Sequence, residues 1–179
     1  MDIKEYIRFL FTQVFNKQKI ITKKAESVFD INYKKLKKKG VKLLIFDVDD
    51  TLTGHKDIIE KESLELLKKL TKDFRISVLS NCGPSRKKEL EKYFKNLKVF
   101  VEPTSKKPSR AGFVNIMNHF NILPENTAMI GDKVSMDIWG AYVSGIKERI
   151  LVEPWSDIFT GLKSNYFLRL IRETEKKFS

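Results

Sequence analysis

The run Val41–Phe46 is apolar and β-leaning, and it stops at Asp47, Asp49 and Asp50, followed by Thr51, Leu52, Thr53 and Gly54. A run of that kind reads as a buried strand. Unpaired carboxylates beside a buried strand are costly. The chain can carry them only where the strand leaves the core, so this stretch predicts a strand that ends at an acid-rich mouth.

The rest of the chain repeats the alternation that this strand begins. Ile58–Leu70 has helical apolar spacing, Phe74–Leu79 reads as a second strand, and Pro84–Phe94 as a helix with Pro in its first turn. Val99–Val101 is a short third strand, and Ser109 caps a helix running through His119. Thr127–Ile130 is a fourth strand, Val134–Val143 a helix stopped at Gly145, and Ile150–Val152 a fifth strand. Strands alternating with helices predict an α/β fold with a doubly wound, open parallel sheet. Such sheets bind ligands at the carboxyl ends of their strands. The polar clusters fall there: Asp47, Asp49, Asp50 and Thr51 after the first strand, and Ser80 and Asn81 after the second. Lys106 and Lys107 follow the third after a short loop, and Asp132 and Asp137 follow the fourth.

Length and composition set bounds on this reading. A chain of 179 residues with 41% hydrophobic and 32% charged residues fits one soluble globular domain. No apolar run is long enough to span a bilayer, and Met1–Ile7 carries acids and lacks the apolar core of a signal peptide. Cys82 is the sole cysteine, which excludes an intrachain disulfide and a cysteine-based zinc cluster and points to a reducing compartment. The expected location is the cytoplasm or the periphery of a membrane.

The net charge of +12 is uneven: residues 1–42 hold twelve Lys/Arg against four Asp/Glu, densest at Lys34-Lys35-Leu36-Lys37-Lys38-Lys39. Such a run suits nucleic acid, an anionic membrane or an anionic substrate, and equally a solvated helix face. Ile3, Ile7, Leu10 and Val14 form an apolar stripe that would either pack on the domain or lie in a membrane interface. The expected organisation is a basic amphipathic segment over 1–32, a core over 33–160 and a basic helix over 161–179.

Chemistry follows from the residue types on the rim. Asp47 can bind a metal and attack an electrophile, while Asp49 can face the leaving group and shuttle a proton. Asp132 arrives from another strand and completes an oxygen-rich site of the kind Mg²⁺ prefers. Lys107 and the Ser80 hydroxyl supply a cation and a donor for the oxygens of a phosphoryl group. The combination points to phosphoryl transfer through a carboxylate nucleophile.

Asp47-Val48-Asp49-Asp50-Thr51-Leu52 resembles the first motif of the haloacid dehalogenase-like (HAD) phosphatases. Ser80 with Asn81 resembles the second motif, Lys107 before Pro108 the third, and Gly131-Asp132 through Asp137 the fourth. The resemblance implies that Asp47 becomes an aspartyl-phosphate and that Asp49 protonates the leaving oxygen and then activates water. It implies Mg²⁺ held by Asp47, the Asp49 backbone carbonyl and Asp132, with Asp137 acting behind them on Lys107 or the metal. It also implies that Thr51 braces the nucleophile's loop, and that Thr51, Ser80 and Asn81 meet the phosphate. The stretches 53–79 and 82–106 are filled by the predicted elements, so no cap domain fits. Within the superfamily the chain resembles the capless YqeG-like group, associated with phosphatidylglycerophosphate phosphatase activity. Asp50, Lys133 and Met136 stand where that group usually has Asn, Gln and Thr.

The expected function is thus Mg²⁺-dependent hydrolysis of a phosphomonoester, with phosphatidylglycerophosphate as first substrate and peripheral contact with an anionic membrane. The alternatives are a soluble sugar, nucleotide or protein phosphate, or a non-catalytic basic scaffold for membrane or nucleic acid. Aromatics interleaved with lysine on one strand face, expected of an RNA binder, are not evident. His55 sits where it would touch substrate, His119 reads as structural, and Cys82 reads as a pocket residue or a small buried filler. Arg86 and Arg110 follow rim loops and read as grips for a second phosphate or as ordinary surface.

Overall fold

The computed structural model describes residues 20–55, 57–102 and 106–155. The apolar stripe at 3–14 and the basic tail at 161–179 lie outside the described residues.

Six parallel strands form one sheet: β1 Lys23–Ala25, β2 Leu43–Phe46, β3 Arg75–Val78, β4 Val99–Val101, β5 Thr127–Gly131 and β6 Glu148–Val152. Their spatial order is β1-β6-β5-β2-β3-β4. The helices are α1 Tyr33–Lys38, α2 Lys61–Leu70, α3 Pro84–Phe94, α4 Arg110–Phe120 and α5 Trp139–Val143. The chain leaves β2 for β3 on one side and later returns to place β5 on the other. That reversal opens a crevice beside the end of β2.

Both faces of the sheet are covered, which is why β2 is a continuous apolar run rather than an alternating one. Leu44 and Phe46 pack with Leu67 of α2 and Leu90 and Phe94 of α3. Leu43 and Ile45 point the other way, to Phe113, Ile116 and Met117 of α4 and Ala141 of α5. The chain thereby forms the doubly wound α/β sheet expected of it. Among the described residues, α2 fills the connection from β2 to β3 and α3 fills that from β3 to β4, so neither carries a cap domain.

Four local differences have physical causes. β1 was not expected: three residues, Lys-Lys-Ala, carry no strand pattern, and backbone pairing with β6 alone makes them one. Residues 20–32, grouped by sequence with a separate segment, instead belong to the sheet and core, with Ile20, Val28 and Ile31 buried. Helix α2 starts at Lys61 rather than Ile58, because the Thr53 hydroxyl donates to the Ile58 carbonyl at 2.6 Å and holds it outside the helix. The expected helix from Val134 to Val143 opens as a wide π-helical turn over Val134–Ile138 before α5. Such turns recur at functional sites, and this one carries Asp137. Gly145 stops α5 as expected, in the left-handed region at φ +79°.

Candidate active site

Asp47 stands at the carboxyl end of β2, its backbone N–H donating to the Ile130 carbonyl at 2.9 Å, so adjacent strands fix where it leaves the sheet. Its carboxylate is buried and meets the Lys107 ammonium at 2.5 Å. The same ammonium lies 2.7 Å from Asp137. Burial pushes the Lys107 amine toward neutrality, but Asp137 and Asp47 outweigh it, and the net displacement is upward. Lys107 therefore stays charged. Burial holds the Asp137 carboxyl above its ordinary range against the opposing pull of Lys107.

Asp137 reaches this point because the π-helical turn bends back over β5. Its second oxygen accepts from the Lys133 backbone N–H at 2.9 Å. Gly131 makes room for it, since a Cβ there would collide with the Asp137 carboxylate. Asp132, at the end of β5, completes the set: Asp47, Asp132 and Asp137 each offer an oxygen, and these lie within 4.8 Å of one another. Three buried carboxylates face one buried ammonium and the half-exposed Lys133, 3.3 Å from Asp132. That leaves negative charge in a low-dielectric site, and an all-oxygen donor set suits a hard divalent cation.

A cavity of about 260 Å³ opens above these groups, lined by Asp47, Asp49, His55, Ser80, Asn81, Lys107, Lys133 and Met136. One rim thus brings together Asp47, Asp49, Ser80, Asn81, Lys107, Asp132 and Asp137 from four strand ends. The Lys133 ammonium is held up by Asp132, Asp47 and Asp137 against the downward push of burial.

Several sequence-predicted residues act differently from expectation. Thr51 is buried but is not on the cavity wall, and its hydroxyl has no hydrogen-bond partner among the described residues. The loop is braced instead by Thr53, on the Ile58 carbonyl, and by Ser63, which donates to the Leu52 carbonyl at 2.6 Å. Asp50 adopts the left-handed region at φ +64°, which Asp and Asn tolerate better than most residues. Its backbone N–H donates to Thr53 and its carbonyl accepts from Trp155, so the third acid of the motif shapes the loop. The Asn81 side chain is engaged with backbone: its amide donates to the Lys107 carbonyl at 2.9 Å and its oxygen accepts from the Lys107 N–H at 2.6 Å. This pair sets Lys107 inward while Lys106 is exposed.

Cys82 packs against the core and does not line the cavity, and burial pushes its thiol up, away from reactivity. His119 stacks on Phe100 at 3.9 Å and is structural. Arg110 is exposed and does not line the cavity. The Lys34–Lys39 run lies at the opposite rim: Lys37 pairs with Asp73, just before β3, and Lys39 with Glu148, the first residue of β6.

Residues 7–154 match the family described as mitochondrial PGP phosphatase. The chain belongs to that family. It is a HAD-superfamily phosphatase, a hydrolase of phosphomonoesters, built on the capless form of the fold. No curated protein matches the chain. Among solved structures, it is similar to a predicted HAD-like family hydrolase from Porphyromonas gingivalis, with 14% identity and a TM-score of 0.53 over 74% of this chain and 98% of that one. It is also similar to an uncharacterized protein from Listeria monocytogenes serotype 4b, with 16% identity and a TM-score of 0.51 over 75% and 99%. A HAD phosphatase from Thermococcus onnurineus aligns with 11% identity and a TM-score of 0.50 over 65% and 95%. At these identities the likeness speaks for the fold. Among the described residues no helix is long and apolar enough to cross a membrane.

Proposed function

We propose that this phosphatase works through an aspartyl-phosphate on Asp47, uses Mg²⁺, and takes phosphatidylglycerophosphate as its substrate. The observation that carries the mechanism is the Asp47 carboxylate at the floor of an open cavity, held by Lys107, with Asp49 on the wall. Asp47 attacks phosphorus, and the bond to the ester oxygen breaks. Asp49 gives its proton to that oxygen as it leaves, then takes one from the water that attacks the aspartyl-phosphate and releases phosphate. Lys107 and Ser80 face the phosphoryl oxygens as their charge shifts. Asp47, the Asp49 carbonyl and Asp132 would hold Mg²⁺, which when bound supplies positive charge against the same oxygens. Asp137 holds Lys107 from behind. Asn81 acts on the phosphate only through Lys107, whose backbone it holds.

The lipid substrate is supported by the family match and by an open mouth suited to a bulky ester. A soluble phosphate ester is the second reading, favoured by one observation: the Lys34–Lys39 run sits at the rim opposite the mouth. Contact with an anionic membrane on the side of the mouth would fall to the exposed Lys106 and Arg110. The test is turnover of a panel containing phosphatidylglycerophosphate in vesicles, sugar phosphates, nucleotides and phosphopeptides, each with Mg²⁺ and with chelator. The lipid should be turned over fastest, and chelation should stop all turnover. Preference for a water-soluble ester would replace the lipid reading, and turnover indifferent to chelation would remove Mg²⁺.

A further inference from the structure

Asp49 sits in the loop beyond β2, its backbone bridged to Thr53, and proton transfer needs its carboxylate within about 3 Å of the leaving oxygen. Arg86, in the first turn of α3, reaches it. One guanidinium nitrogen bonds Glu89 at 2.9 Å, and the other donates to the Asp57 carbonyl at 2.6 Å and stands 3.5 Å from the Asp49 carboxylate. The Arg86 side chain is 12% exposed and that of Asp49 16%. A guanidinium is planar with donors in fixed directions. Two of its contacts fix its plane against α3 and the turn before α2, and the fixed plane then offers a charge to Asp49.

Arg86 does not line the cavity, and its terminal nitrogens are engaged by Glu89 and Asp57. Those facts argue against the second-phosphate grip considered from sequence. We propose instead that Arg86 is a positioning residue: it holds the Asp49 carboxylate toward the leaving-group oxygen. In capped relatives of this fold a second domain closes over the site; here a single side chain bridges three segments of the core to orient the proton donor. The inference rests on the reading of Asp49 as that donor.

The experiment compares kcat/KM for an alkyl phosphate, whose leaving oxygen needs a proton, with that for 4-nitrophenyl phosphate, whose leaving oxygen does not. The full chain is used with Mg²⁺. The alkyl-to-aryl ratio does not depend on how much of a variant is folded, so a partly unfolded variant still reports. Asp49→Asn should lower the ratio by about 100-fold, the scale of general acid catalysis. Arg86→Met should lower it by about tenfold, because an acid that has lost the guanidinium beside it still transfers a proton part of the time. Arg86→Lys, which cannot span all three partners, should fall between Arg86→Met and the parent. If Asp49→Asn lowers the ratio and neither Arg86 variant does, Arg86 is a structural residue and the inference fails while the role of Asp49 stands. If KM rises equally for both substrates, Arg86 binds substrate and the inference also fails. If Asp49→Asn leaves the ratio unchanged, the fault lies in the proton-donor reading itself.

Discussion

Two ion pairs in this molecule have the same length and different meanings. Lys107 meets Asp47 at 2.5 Å with side chains 3% and 6% exposed, and Lys37 meets Asp73 at 2.5 Å with side chains 56% and 49% exposed. The first pair is at the carboxyl rim of the sheet and the second at the opposite rim. Water screens the second, so its attraction is small and largely offset by the entropy of holding two flexible side chains. The first is desolvated, so each partner depends on the other. A buried pair is weak evidence for stability and strong evidence that both charges are needed where they are. Distance alone would have ranked the two rims equal; burial separates the desolvated pair from the solvated one.

Three substitutions sharpen or break that contrast. Asp47→Asn should lower turnover by on the order of 10³-fold or more, since an amide neither attacks phosphorus nor replaces a carboxylate ligand. Circular dichroism should stay that of the parent. Near-parental turnover in a folded variant would remove the aspartyl-phosphate mechanism. Lys107→Met should lower turnover by on the order of 10²–10³-fold. It also removes the buried cation between Asp47 and Asp137, leaving the half-exposed Lys133 as the nearby positive charge. Denaturation in urea should then show a loss of about 3 kcal/mol in chelator, partly recovered when Mg²⁺ is added. A variant as stable as the parent in chelator would mean that the buried acids do not depend on Lys107. Lys37→Gln should cost less than about 1 kcal/mol and leave turnover within about twofold. A larger fall in activity would show that the two rims communicate, and the contrast would be wrong.

The core of the fold was legible in the sequence because it depends on local residue types. A continuous apolar run makes a doubly buried strand wherever helices cover both faces, so β2 and its acid-bearing end could be read directly. Pro84 and Ser109 mark helix starts by properties of their own, a fixed φ and a capping oxygen, and α3 and α4 begin where those residues predict. The meeting of Asp47, Lys107, Asp132 and Asp137 was also legible, because parallel strands bring their carboxyl ends to one rim.

Tertiary structure decided what a hydroxyl, amide or guanidinium pairs with. Thr51 was the natural candidate to brace its own loop, yet Thr53 and Ser63 do so, because the Ile58 and Leu52 carbonyls come within their reach. Asn81 grips Lys107, a residue 26 positions away, and nothing near Asn81 in the chain announces it. β1 is a strand only because β6 offers a free edge, and Asp137 reaches Lys107 only through a π-helical turn over a glycine. The lysine run was visible as charge, but its rim was fixed by the entry of α1 into the amino end of β2. Residue type and spacing determine which chemistry the chain carries. Backbone groups brought from distant parts of the chain determine which side chains are held in place to perform it.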